Sequence, residues 1–317
     1  MPNMFPAAID PRRHPWFFTL VLVVVGALFG AATWEATLQE REHMKDFRGD
    51  VDDKAELAAT IIKSRLSAYD ATLLALREIY VTDPAQFEKH IQWLRQGPLA
   101  DHDLQVVVVD RDGVLVYTDA PGATPRLDLR DTAFFRFFAD DTRDRFYADG
   151  PVFGRVTRRH TLPLARPIYD KKGAFDGVVA LSVLQRSLAD FGPKLQLSGD
   201  TTVSVVTERG AVVTRSSDLA KVQGTTIPAQ RLAKLLQGST GIFSDRSTVG
   251  SGERIVAFRH LEGLPLIVYV SDSPGEVMAV AAKERILLLS GAGVFSLLVI
   301  LLLLVYRQRQ NLSLIHI

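Results

Sequence analysis

The chain has 317 residues, of which 47% are hydrophobic, with a formal net charge of +1 and no cysteine. That balance excludes a disordered chain and a polyanion-binding surface, so no nucleic-acid partner is expected. The missing cysteines exclude disulfides, thiolate metal sites and cysteine nucleophiles, and the seven histidines show no HExxH-like spacing, so neither a metal site nor a cofactor is expected.

After residues 1–15 comes Trp16 to Trp34, WFFTLVLVVVGALFGAATW, which is long and uncharged enough to cross a bilayer, a task for about 20 apolar residues. A cleaved signal peptide shares its basic start. The run nevertheless exceeds the usual ~7–15-residue apolar core, and Gly30-Ala31-Ala32-Thr33 is a poor cleavage site. Residues 35–82 then predict one long helix: no proline falls between Glu35 and Tyr80, while Phe47, Val51, Ala58, Ile62, Leu66, Tyr69, Leu73, Leu76 and Tyr80 recur at steps mostly of three and four. Such a stripe serves either as a dimer surface or as a face buried against the chain's own domains.

Asp83-Pro84 predicts a capped helix start, with Phe87, Ile91 and Leu94 inward and Gly97-Pro98 as its stop. Leu104 to Val109 and Val114 to Thr118 flank Asp110-Arg111-Asp112-Gly113 and read as a hairpin. Asp131 is expected to cap a short helix bearing Phe134, Phe135, Phe137 and Phe138. Pro151 to Val156, Thr161 to Tyr169 and Phe175 to Leu184 then read as an antiparallel meander, turned by Thr157-Arg158-Arg159 and by Asp170-Lys171-Lys172-Gly173. The pattern repeats. Thr202 to Thr207, a Glu208-Arg209-Gly210 turn, Ala211 to Arg215, a helix over Pro228 to Gln237, and strands at Gly241 to Arg246, Glu253 to Leu261 and Leu264 to Val270 copy the first set. The two modules are assigned to 83–190 and 191–273.

A connecting helix over 274–285 leads into a second apolar run, Ile286 to Tyr306. Arg12 and Arg13 before the first run, and Arg307 and Arg309 after the second, place both termini in the cytoplasm, although Lys283 and Arg285 weaken the count. The tail, 307–317, holds no output domain. Its ending LSLIHI resembles a translated sequencing adapter, and a chain cut short before an output domain is expected. No serine–histidine pairing or carboxylate pair marks a catalytic centre, so no enzymatic activity is expected of the chain as given.

LDLRDTAFFRFF, followed by GPVFGRVTRRHTLPLARPIYD and GAFDGVVALSVL, resembles the distal half of a double Cache sensor, as found on bacterial diguanylate cyclases and sensor histidine kinases. The resemblance covers roughly Glu35 to Ser273 and rests on the order of blocks and turns. It implies an α+β fold: two tandem PAS-like antiparallel-sheet modules, membrane-distal and membrane-proximal, on one long N-terminal helix flanked by two transmembrane helices. It further implies a homodimer in the bacterial inner membrane, with a periplasmic sensor region that binds a small molecule and signals to a cytoplasmic output. A diguanylate cyclase is the first expectation for that output, with a histidine kinase or chemotaxis receptor as alternatives. A membrane-anchored binding protein that works alone is the alternative of another class.

Double Cache receptors place their ligand between the sheet and the short helix of the distal module, which maps here to Tyr117, Phe135, Arg155, His160 and Arg166. The arginines suit a carboxylate-bearing ligand. Arg158 and Arg159 lie at a turn, where a solvated charge is the ordinary outcome. Arg166 alternates with Leu162, Leu164 and Ile168 and is a pocket residue or an edge residue. The amino-acid-binding members carry Arg-x-Trp-Tyr on the helix and an aspartate on the last strand. Thr132-Ala133-Phe134-Phe135 and Ser182 stand there, so weak or no binding of ordinary α-amino acids is expected, leaving organic acids and aromatic carboxylates.

Overall fold

The computed structural model describes residues 15–96, 104–120, 126–141, 143–155, 158–191, 195, 197, 200–246 and 252–313. The chain forms two units, one of Arg48–Ser273 and one of Met1–Phe47 with Pro274–Ile317.

Helix α1 runs from Pro15 to Thr82. In the Arg48–Ser273 unit its inward stripe is buried from Val51 to Leu76, with Val51, Ala58, Ile62, Leu66, Tyr69, Leu73 and Leu76 at most 2% exposed, while Tyr80 at its end is half-buried. At roughly 1.5–3 kcal/mol for each large apolar side chain removed from water, this row is a main source of the unit's stability. The stripe is therefore used inside the chain. After α1, Pro84–Gln86 forms a 3-10 turn and α2 spans Phe87–Gln96; Asp83 makes no capping bond with its side chain, and Gly97-Pro98 lies outside the described residues.

Two antiparallel sheets follow. The first contains β1 (Leu104–Asp110), β2 (Leu115–Thr118), β3 (Tyr147–Ala148), β4 (Val152–Phe153), β5 (His160–Tyr169) and β6 (Phe175–Leu184), in the order β2-β1-β6-β5-β3, with β4 also on β5. Of the predicted strand from Pro151 to Val156 only Val152–Phe153 is a strand among the described residues, and a separate short strand, Tyr147–Ala148, precedes it. Pro151 has no N–H for the ladder, which suits a break beside Asp149-Gly150; Val156 lies outside the described residues. Helix α3 (Ala133–Ala139) covers one face, and Thr132 rather than Asp131 sits at its N-cap position, without a side-chain cap.

A four-residue helix, α4 (Gln185–Leu188), leaves β6 for the second sheet. That sheet holds β7 (Thr202–Thr207), β8 (Val212–Arg215), β9 (Thr240–Arg246), β10 (Glu253–His260) and β11 (Leu266–Asp272), ordered β8-β7-β11-β10-β9. Helices α5 (Leu219–Val222) and α6 (Ala229–Leu235) precede β9. Buried Gln185 ties the modules together: its side-chain amide donates to the carbonyls of Val212 and Val213 at 3.0 and 2.8 Å, and its own carbonyl accepts from the Thr214 hydroxyl at 2.6 Å.

The duplication extends to atomic detail. Asp110 Oδ1 accepts from the backbone N–H groups of Asp112 and Val114, and Thr207 Oγ1 accepts from those of Arg209 and Ala211, while Gly113 and Gly210 close both turns at φ 77° and 84°. Each hairpin carries its bulge at the same place, after Val108 and after Val205. Following the pairing across each sheet, Val108 meets Val179 and then Arg166, as Val205 meets Val268 and then Arg259. Both arginines grip α1: Arg166 bonds Asp70, and Arg259 bonds Asp52 at 2.9 Å and Glu56 at 2.7 Å.

In the other unit, the first part of α1 and helix α7 (Gly275–Ser313) are long and apolar enough to cross a membrane, with stretches of mean hydropathy 1.8 and 2.8. Their apolar side chains face outward, Leu22 being 75% and Leu287 73% exposed. The predicted connecting helix and second apolar run are one continuous element. His43 Nε2 and Glu284 Oε2 meet at 3.0 Å between the two helices.

Candidate ligand-binding site

Side chains alternate across the first sheet, so one face of β1, β5 and β6 turns toward α1 and the other toward α3. On the α3 face, the small side chains Pro163 and Ala180 leave a cavity of ≈ 270 Å³ between sheet and helix. Its walls are apolar, with Val107, Leu129, Phe134, Val152 and Phe153; its polar lining comes from Asp131, Thr132, Arg155, Thr161 and Ser182. Thr161 is 1% exposed and its hydroxyl has no hydrogen-bond partner among the described residues. Gln105, opposite Ser182 across the strands, has a buried Oε1 that is also without one among those residues. Buried polar atoms left unsatisfied are uncommon and point to a missing partner.

Arg155 supplies the charge. It donates through Nη1 and Nη2 to the two Asp131 oxygens at 2.8 and 2.5 Å, and through Nη1 to the Asp128 carbonyl at 3.3 Å. The Arg155 bond holds the Asp131 carboxyl below its usual range, and bonds from Arg130 bring that of Asp128 down to about 2. The Arg155–Asp131 pair uses the end of the guanidinium fork. The parallel donors along its side, Nε and the second Nη2 hydrogen, have no partner among the described residues, which leaves an edge shaped for another carboxylate.

Of the five residues expected at the site, Arg155 alone lines this cavity. Tyr117 pairs with Val108 on the opposite, α1-facing side and packs edge-on against Phe87 at 5.1 Å. Arg166 pairs with Val179 on that same side and is held by Asp70 and Asp144. Phe135 is buried in the core beside the cavity with Phe138, Tyr147 and Val178, and its neighbour Phe134 takes the lining position. His160 meets Phe153 edge-on at 5.3 Å between ring centres and comes against Gly224 of the second module, and it does not line the cavity. Asp131, expected as a helix cap, is instead the partner of Arg155.

The profile of the Cache domain matches residues 36–281. The chain belongs to the Cache family. Its Cache region also shares its fold with solved sensor domains. The extracellular domain assigned to the histidine kinase rpHK1S-Z16 aligns with a TM-score of 0.58 at 18% identity, covering 73% of this chain and 94% of that one. The ligand-binding domain of the Pseudomonas aeruginosa PAO1 amino acid chemoreceptor PctB, in complex with L-Arg, gives 0.56 at 16% identity over 73% and 97%. That of the Campylobacter jejuni chemoreceptor Tlp3, with 4-methylisoleucine, gives 0.55 at 13% over 75% and 94%. A search of the curated proteins returned no match. Within this Cache fold, sequence reading missed Thr161 and Phe134 as lining residues. Thr161 had one available signal, a polar residue in phase with Pro163 and Ala165 on an inward face.

Proposed function

We propose that the chain is the sensory input region of a membrane signalling receptor, and that a small carboxylate-bearing molecule occupies the cavity under α3. The observation that carries this reading is that a buried Thr161 hydroxyl, unpartnered among the described residues, and Arg155, with donors left over from its pairing with Asp131, line one apolar-walled cavity. At ≈ 270 Å³ it lies just below the roughly 300–1,000 Å³ of ordinary small-molecule pockets, which suits a short organic acid. The ligand's carboxylate takes the Nε–Nη2 edge, Thr161 and Ser182 bond its polar end, and Phe134 and Phe153 cover its apolar body. Ser182 offers a hydroxyl rather than a charge to an ammonium group, so α-amino acids are poor ligands in this reading.

Binding drives a signal only if it favours one of two arrangements. Gln185, one residue beyond β6, is placed to pass such a change to β8. The flanking apolar helices and the arginines outside them support an extracytoplasmic sensor region with cytoplasmic termini. A diguanylate cyclase output remains a proposal on sequence resemblance; the kinase and chemoreceptors with the same fold make those two outputs equally worth testing.

The test is calorimetric titration of the full chain in detergent with lactate, pyruvate, malate, benzoate and the common amino acids. A carboxylate should bind, and Arg155→Gln should weaken it by about tenfold or more, the scale of one lost charge-assisted pair. Failure of every carboxylate, or binding indifferent to both Arg155→Gln and Thr161→Val, would overturn the assignment.

A further inference from the structure

The second module is a register-for-register copy of the first, and the places that line the first cavity can be read across. Thr161 lies five positions before Arg166, and Arg254 lies five before Arg259. By the same pairing Ser204 stands where Val107 does, Ser271 where Ser182 does, and Arg215 where Thr118 does. Phe258 and Tyr269 replace Ala165 and Ala180, and they belong to the apolar core beneath α6. Aromatic rings thus occupy the copied apolar ground. The other copied places hold arginines and serines.

Those side chains are short of partners. Arg215 makes no hydrogen bond or ion pair among the described residues, and its Nε is buried without one. Ser204, directly opposite Arg215 across the strands and 1% exposed, has a hydroxyl with no partner among the described residues. Among the described residues Arg254 donates only to main-chain carbonyls, those of Asp200 and of Ser271 at 3.1 Å. Burial pushes its pKa down, and Arg215 and Arg231 push the same way against Asp272 and Asp200.

The neighbouring carboxylates make their direct bonds elsewhere: Asp245 is bonded to Arg231, Asp218 is paired with Lys221, and Asp272 bonds Thr201 and lies near Lys54. Asp218 acts on Arg215, and Asp272 and Asp200 on Arg254, only through space. Charge that is desolvated without a directly bonded carboxylate is costly, and buried donors left without an acceptor add to that cost.

We infer that the second module carries its own site for a small oxyanion, a carboxylate, phosphate or sulfate, held by Arg215, Arg254 and the Ser204 hydroxyl. The anion accepts from Ser204 Oγ, from the guanidinium of Arg215 on the edge strand and from the unused donors of Arg254. It would balance the positive charge on that face. This site is independent of the cavity under α3, and the reading does not rest on the function proposed for it.

The experiment uses the full chain in detergent, titrated with sodium phosphate, sulfate or acetate against sodium chloride at equal ionic strength, read by thermal unfolding and calorimetry. A saturable rise of the unfolding midpoint beyond that in chloride is expected for at least one oxyanion. Arg215→Gln should weaken it by about tenfold, the loss of one charge-assisted pair, and Ser204→Ala, which conserves the fold, by severalfold. Thr161→Val, in the first cavity, should leave it unchanged. No saturable response overturns the inference, as does a response that survives both Arg215→Gln and Ser204→Ala. A response lost in Thr161→Val but kept in Arg215→Gln places the anion under α3, which overturns the second site while leaving the proposed receptor function intact.

Discussion

Arg166 on β5 holds Asp70 on α1 through two parallel hydrogen bonds, Nε to Oδ1 at 2.6 Å and Nη2 to Oδ2 at 2.7 Å. Its third nitrogen reaches Asp144 at 2.9 Å, and only 14% of its side chain is exposed. A guanidinium bound on both sides by carboxylates works as a fastener between sheet and helix.

Arg166→Met should therefore cost about 2 kcal/mol of stability, less than the loss from a fully buried pair because Asp70 and Asp144 stay partly hydrated. Urea unfolding of the full chain in detergent checks this. Ligand affinity should hold within a factor of about two, since Arg166 lies on the far face of the sheet from the cavity.

Removing a hydroxyl that has no partner should not harm the fold. Thr161→Val is expected to leave stability unchanged or raise it by up to about 1 kcal/mol, because a desolvated orphan is replaced by a methyl group of the same shape. The same change should weaken the carboxylate ligand. A drop in stability comparable to that of Arg166→Met would mean that the hydroxyl has a structural partner.

Gln185→Leu severs three side-chain bonds across the module junction, to Val212, Val213 and Gln223, and leaves the carbonyls of Val212 and Val213 without that donor. A loss of about 1–3 kcal/mol is expected. Differential scanning calorimetry should show the unfolding of the sensor unit broadening or splitting, since the modules then unfold with less mutual support.

Acid should weaken the second module through Asp245. Burial is the largest single influence and would raise its carboxyl, but the hydrogen bond and charge of Arg231, the Arg246 backbone N–H and the charge of Lys234 together outweigh burial and hold it below the ordinary value. A carboxyl lowered on folding stabilises fully above its unfolded value of about 3.9, and that contribution is lost as pH falls through the folded value. Stability should thus be insensitive to this group from pH 7 to about 5 and fall below about 4. Asp245→Asn, already less stable at neutral pH, should show a shallower fall in the same window.

The strands were legible because turn residues and period-two runs mark them, and β6 has the bounds that the sequence suggests, Phe175–Leu184. The cavity was less so. Phe134 and Phe135 differ by one helical step of about 100°, so their roles depend on where α3 begins, and Thr132 rather than Asp131 holds the N-cap position. Tyr117 and Arg166 were assigned to the wrong face because a strand shows which residues share a side, not which side is covered by which helix. Arg155 was found as a cation beside the meander, but its pairing with Asp131 links residues 24 apart in sequence and has no local signature.

Asp52 and Asp70, the carboxylates gripped by Arg259 and Arg166, are 18 residues apart on α1. At 3.6 residues per turn that is five whole turns, about 27 Å, so both point in the same direction from the helix axis. The spacing is a matter of phase. One residue inserted between them would swing one carboxylate about 100° away from its arginine, whereas a change in length near a whole number of turns would restore the bearing. The distance between the two modules can therefore vary in descendants of this chain only in steps close to the helical repeat.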